Sequence, residues 1–225
     1  MSDKVFSVAI DGPAGAGKST IAKSVSKKLG VIYVDTGAMY RAMALYLLRE
    51  GVDMEDAAAI SAKCKDADIS IKFEDGVQQV ILNGENVSGL IRTEQVSNMA
   101  SRSSVNPDVR KKLVELQQKL ATRESLVMDG RDIGTVVLPE AKVKIYLTAS
   151  SAVRAKRRYE ELIAKGESAD LAQIEADIIE RDHRDMTREI SPLKQAEDAV
   201  LVDTSDMTIE EVEEKLLSIV NEKVG

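Results

Sequence analysis

Short apolar runs alternate with segments of helical period along this chain. Strand-like runs fall at Val5–Ile10, Val31–Val34, Leu126–Met128, Lys142–Leu147 and Val200–Val202. Between the first two, Ile21, Val25 and Leu29 line one face of a helix predicted over Ser19–Leu29, with Gly30 placed as its C-cap. Pro107 opens another helix, whose apolar face is Val109, Leu113, Leu116 and Leu120. Such alternation predicts a mostly parallel sheet with helices on both faces. The stretch from Ile69 to Ser88 departs from it. There the apolar residues recur at period two (Ile69, Ile71, Phe73; then Val80, Leu82), punctuated by Asp75-Gly76 and Asn83-Gly84. That pattern predicts a small antiparallel meander inserted into the α/β order.

The 225 residues suffice for one α/β domain with such an insert. With no Trp and two Phe, the core falls to Val, Ile, Leu, Ala and Met. A net charge of −7 argues against a general nucleic-acid binder, which needs an excess of Lys and Arg to neutralise phosphates. One cysteine, Cys64, excludes an internal disulfide and any multi-cysteine metal site, and reads as a packing residue. No run approaches the length of a membrane span, and the first apolar run is too short for a signal peptide, so a cytoplasmic protein is expected.

The first chemistry-bearing stretch is "IDGPAGAGKST". Gly12, Pro13, Ala14, Gly15, Ala16, Gly17, Lys18 and Ser19 fit the phosphate-loop pattern G-x-x-x-x-G-K-[ST], between a strand and a helix as that motif requires. Backbone N–H groups turn inward around phosphate oxygens. Lys18 supplies charge to the β/γ-phosphates, and Ser19 offers its hydroxyl to Mg²⁺. The guanine-reading N-K-x-D of a GTPase is absent from the sequence, and the compact size favours a small-molecule kinase.

Three further junctions supply polar side chains. In "YVDTGAMYRAM", Asp35 ends a strand, Thr36 is expected to cap the next helix, and Tyr40 and Arg41 lie in its first turns. That is a strand end of the kind at which open α/β sheets bind ligands. In "LVMDGRDIGTVV", Asp129 follows three apolar residues, where a carboxylate can hold Mg²⁺ or its water, with Arg131 and Asp132 beside it. In "IIERDHRDMTREISP", Arg181, Arg184, Asp185 and Arg188 are spaced to share one helical face, with Asp185 able to pair with Arg181 and Arg188. Arg154, Arg157 and Arg158 form another group upstream. From Ser150 to Ile190 there are eight Lys/Arg against ten Asp/Glu, so this is no basic patch. His183, the only histidine, reads as a solvated side chain.

Taken together, these blocks resemble the bacterial cytidylate kinase family of P-loop nucleoside monophosphate kinases. The resemblance runs through "IDGPAGAGKST", "DTGAMYR", "VSGLIRTEQVS", "DGRDIGTVV" and "RDHRDMTREISPL" in family order. It implies one P-loop kinase domain over 1–225, with an acceptor-side β insert at about 68–90 and a helical lid and its flanking helices at about 151–190. It implies a cytoplasmic monomer that moves the γ-phosphoryl of ATP onto CMP or dCMP with Mg²⁺, independent of nucleic acid and membrane. Gly12, Pro13, Ala14, Gly15, Ala16, Gly17, Lys18, Ser19 and Thr20 would bind ATP phosphates, with Arg154, Arg157 and Arg158 closing over them. Thr36, Tyr40, Arg41 and Arg131 would surround the acceptor and its phosphate. Ser101, Arg110 and Asp132 would face the base with Arg188 near them, while Arg181 and Asp185 approach the sugar. Lys18, Arg131 and Arg188 would act on the transferring group, and Ser19 and Asp129 would hold the metal. An Asp that accepts from cytosine's exocyclic amine, with an Arg that donates to its ring acceptors, reads cytosine against uracil. UMP, AMP or shikimate as acceptor, a nucleotide-dependent switch and a nucleic-acid-stimulated ATPase are the competing readings of the same loop.

Overall fold

The computed structural model describes residues 5–224. In chain order the elements begin with β1 (Ser7–Asp11), α1 (Lys18–Leu29), β2 (Ile32–Asp35), α2 (Thr36–Arg49) and α3 (Ala57–Lys63). The meander follows as β3 (Ile69–Glu74), β4 (Val77–Leu82) and β5 (Glu85–Asn86), then α4 (Glu94–Ser103) and α5 (Pro107–Ala121). The chain ends with β6 (Leu126–Gly130), β7 (Val143–Thr148), α6 (Ser151–Ala164), α7 (Leu171–Thr187), β8 (Val200–Asp203) and α8 (Ile209–Val224). The described residues gather into two compact units, one of 5–31 with 125–224 and one of 32–124.

The first unit holds a parallel sheet in the order β6-β1-β7-β8. Strand β6 is buried along its whole length, which is why Leu126, Val127 and Met128 read as a continuous apolar run. Burying each such side chain contributes about 1.5–3 kcal/mol. The register matters for function. Asp11 lies opposite Gly130 on one side and Tyr146 on the other, so β1 and β6 finish at the same level. The phosphate loop and the "GRDIGT" loop therefore leave the sheet side by side. Helix α1 buries Ile21, Ala22 and Val25 and ends at Gly30, whose N–H returns to the Lys27 carbonyl, as the spacing predicts.

In the second unit, the meander forms as expected, with β3 antiparallel to β4 and β4 to β5. Both turns take the left-handed conformation twice in succession: Asp75 at φ 51° and Gly76 at 74°, Asn83 at 49° and Gly84 at 85°. Ile69, Val80 and Leu82 point into the core of this unit, and Ile71 and Phe73 are half-buried. Helix α5 starts at Pro107 and buries Val109 and Leu113, while Leu116 and Leu120 are half-buried. Cys64 is a buried packing residue.

Gly12 is the tightest point of the first unit. Its φ is +149°, and a Cβ there would lie 1.9 Å from the Leu147 carbonyl oxygen of β7. The backbone has no slack to absorb that overlap. Gly12→Ala should cost about 3 kcal/mol and lower Tm by about 6–12 °C in a thermal melt. A change under about 2 °C would show that β7 does not confine the loop.

Candidate active site

Lys18 is buried, and its ammonium donates to the Pro13 carbonyl at 2.7 Å, folding the side chain back across the loop. Burial, together with the charges of Arg131 and Arg181, lowers its pKa from 10.5 to about 7 against the opposing charges of Asp129 and Asp11. Ser19 donates its hydroxyl to Asp129 Oδ2 at 2.9 Å, so the end of β6 and the start of α1 share one polar contact. Asp129 is itself buried, on a strand whose other residues are all buried.

Asp11, at the end of β1, is also buried. Its Oδ1 accepts from the Ile133 N–H and its Oδ2 from the Gly134 N–H, both at 2.7 Å. Burial raises its pKa to about 6 despite those two bonds, with Asp132 adding to the rise and Lys18 opposing it.

Two carboxylate–guanidinium pairs stand on the "GRD" loop. Arg131 Nε donates to Asp185 Oδ2 at 2.9 Å. Arg188 Nη2 lies 3.8 Å from Asp132 Oδ1, both side chains almost fully enclosed. Burial pushes the Asp185 carboxyl up, but the charges of Arg131, Arg181 and Arg188 and the Arg131 hydrogen bond outweigh it and hold the group below the usual range. The chain after α7 fixes both partners: Arg188 Nε donates to the Ser191 carbonyl at 2.6 Å, and the Leu193 N–H to that of Asp185 at 2.8 Å. The expected single helical face is corrected here. Arg188 lies just past the end of α7 with non-helical torsions, and Arg184 is exposed and paired with Glu180. Asp185 accepts a hydrogen bond from Arg131, and the charges of Arg181 and Arg188 act on it as well. His183 is exposed, as expected.

Of the upstream arginines, Arg154 is buried against the phosphate loop. Its guanidinium donates to the Ala14 carbonyl (2.9 Å), the Ala149 carbonyl (2.8 Å) and Asp182 Oδ2 (2.6 Å). Arg157 donates to the Thr204 carbonyl at 2.7 Å, and Arg158, on the surface, pairs with Glu161 at 2.9 Å.

The second unit carries its own cluster. Asp35, not Thr36, caps α2: its Oδ1 accepts from the Ala38 N–H at 2.9 Å, and Thr36 is the first helical residue, buried. The capping role moves one residue because Asp35 retains the extended backbone of the strand. Its Oδ2 takes Arg41 at 3.1 Å, which orients that guanidinium. Gln78 of β4 clamps Asp35 by both its backbone groups, accepting from the N–H at 2.8 Å and donating to the carbonyl at 3.1 Å. The meander thus holds the entry to α2. Arg110 is buried with its guanidinium 5.8 Å from the centre of the Tyr40 ring. Ser101 is half-buried on α4.

The profile of the cytidylate kinase family matches residues 8–222. The chain belongs to the cytidylate kinase family. It is 51% identical over 216 residues to the cytidylate kinase of Carboxydothermus hydrogenoformans, covering 96% of this chain and 97% of that one. With the cytidylate kinase of Listeria innocua it shares 53% over 222 residues, 98% of each. Among solved structures, an uncharacterized protein from Eubacterium ventriosum (13% identity, TM-score 0.53) covers 97% of this chain and 99% of its own. A gluconokinase from Sinorhizobium meliloti (14%, TM-score 0.50) covers 97% of this chain and 94% of its own. At such identities these two share the fold alone.

Three residues that hold these side chains or loops in place escaped the sequence reading. Asp182 is hidden among charged neighbours on α7, and only packing reveals that it faces Arg154. Gln78 sits in a strand with no chemical motif. Asp11 did leave a signal, an acid closing a fully apolar run just before the phosphate loop.

The lowered pKa of Lys18 has a measurable consequence. At pH 8 a group with a pKa near 7 is mostly neutral, and triphosphate oxygens brought beside it, as its place in the phosphate-loop motif predicts, would favour the charged form. ATP binding at pH 8 should therefore take up about one proton, read as a buffer-dependent calorimetric enthalpy. An enthalpy independent of buffer ionisation would refute the assignment.

Proposed function

We infer that the chain transfers the γ-phosphoryl of ATP to CMP, giving ADP and CDP. The observation that carries this is the family match across nearly the whole chain. The phosphate-loop motif and the loop carrying Arg131 and Asp132, which leave β1 and β6 side by side, support it. A phosphate oxygen of CMP forms a bond to the γ-phosphorus as the bond to the β-phosphate bridging oxygen breaks. Little proton transfer from the protein is needed; positioning and charge carry the step.

We propose the following division of labour. The loop from Gly12 to Thr20 takes the ATP phosphates, and Lys18 follows the charge of the transferring group. Arg131, held by Asp185, and Arg188, held by the Ser191 carbonyl and facing Asp132, add positive charge on the acceptor side without a search through rotamers. Arg154 braces the loop, whereas the surface pair of Arg158 with Glu161 is weak enough to be exchanged for a phosphate, with Arg157 beside it. Ser19 and Asp129 present oxygen donors, which suit Mg²⁺; among the described residues no cluster of three or more His, Cys, Asp or Glu suggests another metal. Bound there with ATP, Mg²⁺ would neutralise phosphate charge.

For the acceptor, Thr36, Tyr40 and Arg41 are proposed to take the CMP phosphate with Arg131. Ser101, Arg110 and Asp132 are proposed to read the base, and Arg181 and Asp185 to approach the sugar. Since contacts to the 3′-hydroxyl would serve both sugars, dCMP is proposed as a second good acceptor. No helix among the described residues is long and apolar enough to cross a membrane. A cytoplasmic monomer completes the proposal.

The direct test follows ADP formation with Mg-ATP while CMP, dCMP, UMP, AMP and shikimate are supplied one at a time. Turnover should be confined largely to CMP and dCMP; equal rates with AMP or shikimate would overturn the reading. Uracil would set an acceptor against the Asp132 carboxylate, a mismatch of about 1–3 kcal/mol. Asp132→Ala should therefore narrow the CMP-over-UMP ratio of kcat/KM by about tenfold. An unchanged ratio would remove Asp132 from base reading.

A further inference from the structure

Immediately after Asp132 the chain makes one wide helical turn, Ile133–Val137, in which the Asp132 carbonyl accepts from the Val136 N–H at 2.9 Å and the Val137 N–H at 3.2 Å. The first N–H groups of such a turn have no partner within it. An Asp in the preceding position is among the best residues to satisfy the second or third of them with its own carboxylate. Asp132 holds that position but makes no capping bond. The two N–H groups, of Ile133 and Gly134, go instead to Asp11, 122 and 123 residues earlier, one to each carboxylate oxygen. The Asp132 carboxylate is turned to Arg188.

We propose that Asp11 is a positioning residue for acceptor specificity: by capping the turn in place of Asp132, it keeps the Asp132 carboxylate directed at the acceptor base. The proposal rests on the base-reading role given above to Asp132. Three observations carry it. Each Asp11 oxygen has its own backbone donor at 2.7 Å, which leaves the carboxylate little freedom. The site is closed behind it, since a Cβ on Gly134 would lie 3.4 Å from Asp11 Oδ2 and 3.2 Å from Cδ of Lys144. Lys144 is itself buried and tied to Asp198 at 2.8 Å, so that wall is fixed. Burying a carboxylate here is also costly for folding, as its pKa of about 6 reflects. A residue needed only to fill the space would be apolar.

Without Asp11, two buried N–H groups lose their acceptors, and the adjacent Asp132 carboxylate is the group best placed by sequence to turn to that of Gly134. The test compares Asp11→Ala, Asp11→Asn and Asp132→Ala for kcat/KM with CMP and UMP, for KM of ATP, and for Tm. Asp11→Ala should narrow the CMP-over-UMP ratio about tenfold, close to the effect of Asp132→Ala, with the KM of ATP within about twofold of the parent. Asp11→Asn keeps the volume and one acceptor, and should narrow the ratio about threefold; it carries the comparison where the alanine variant does not fold. A lowered Tm with an unchanged ratio would overturn the proposal, as would a rise in the KM of ATP equal to that of CMP. If Asp132→Ala itself leaves the ratio unchanged, the base-reading assignment falls first and the role of Asp11 falls with it. If Asp132→Ala narrows the ratio and neither Asp11 variant does, only the role of Asp11 is refuted.

Discussion

The hydrogen bonds that the Ile133 and Gly134 N–H groups donate to the Asp11 carboxylate tie together the two loops to which the proposed chemistry is assigned. One loop begins at the residue after Asp11 and carries the phosphate-loop motif; the other begins after Gly130 and carries Arg131 and Asp132. Their shared starting level follows from the parallel register of β1 and β6, set in turn by apolar side chains buried on both faces of the sheet. A one-residue slip would send alternate side chains to the opposite face and move Asp11 out of reach. Core packing and site geometry are therefore one constraint.

Around that constraint the first unit arranges its charges in linked pairs. Asp185 holds Arg131, Asp132 faces Arg188, Asp182 holds Arg154, and Ser19 meets Asp129. Buried pairs of this kind add little net stability, because desolvation offsets most of the attraction. Their value lies in orientation. A guanidinium already fixed in place meets a phosphate without further ordering, and water need not reorganise as charge shifts during transfer. The second unit repeats the device on a smaller scale, with Gln78 fixing Asp35 and Asp35 orienting Arg41.

Much of this was legible from residue order, and the reason is physical. Strands buried on both faces write themselves as apolar runs, and the left-handed turns of the meander require Asp-Gly and Asn-Gly pairs. The phosphate loop is legible because backbone approach to phosphate demands glycine at set intervals. What stayed hidden was long-range partnership. Nothing at position 35 says that Gln78 will bracket it, and helical spacing wrongly grouped Arg188 with Arg184, because the helix ends before Arg188 and Arg184 faces solvent. Thr36 was favoured as a cap for its hydroxyl, while the strand's last acid took that role.

The central claim is that Asp11 and Asp132 act as one unit, the first capping so that the second can read. A double-mutant cycle on the CMP-over-UMP ratio of kcat/KM tests it most directly, with Asp11→Ala, Asp132→Ala and the double variant set against the parent. Under this account, the second substitution changes the ratio no further once the first is present, a coupling about as large as either single effect. Two effects that simply add would contradict it.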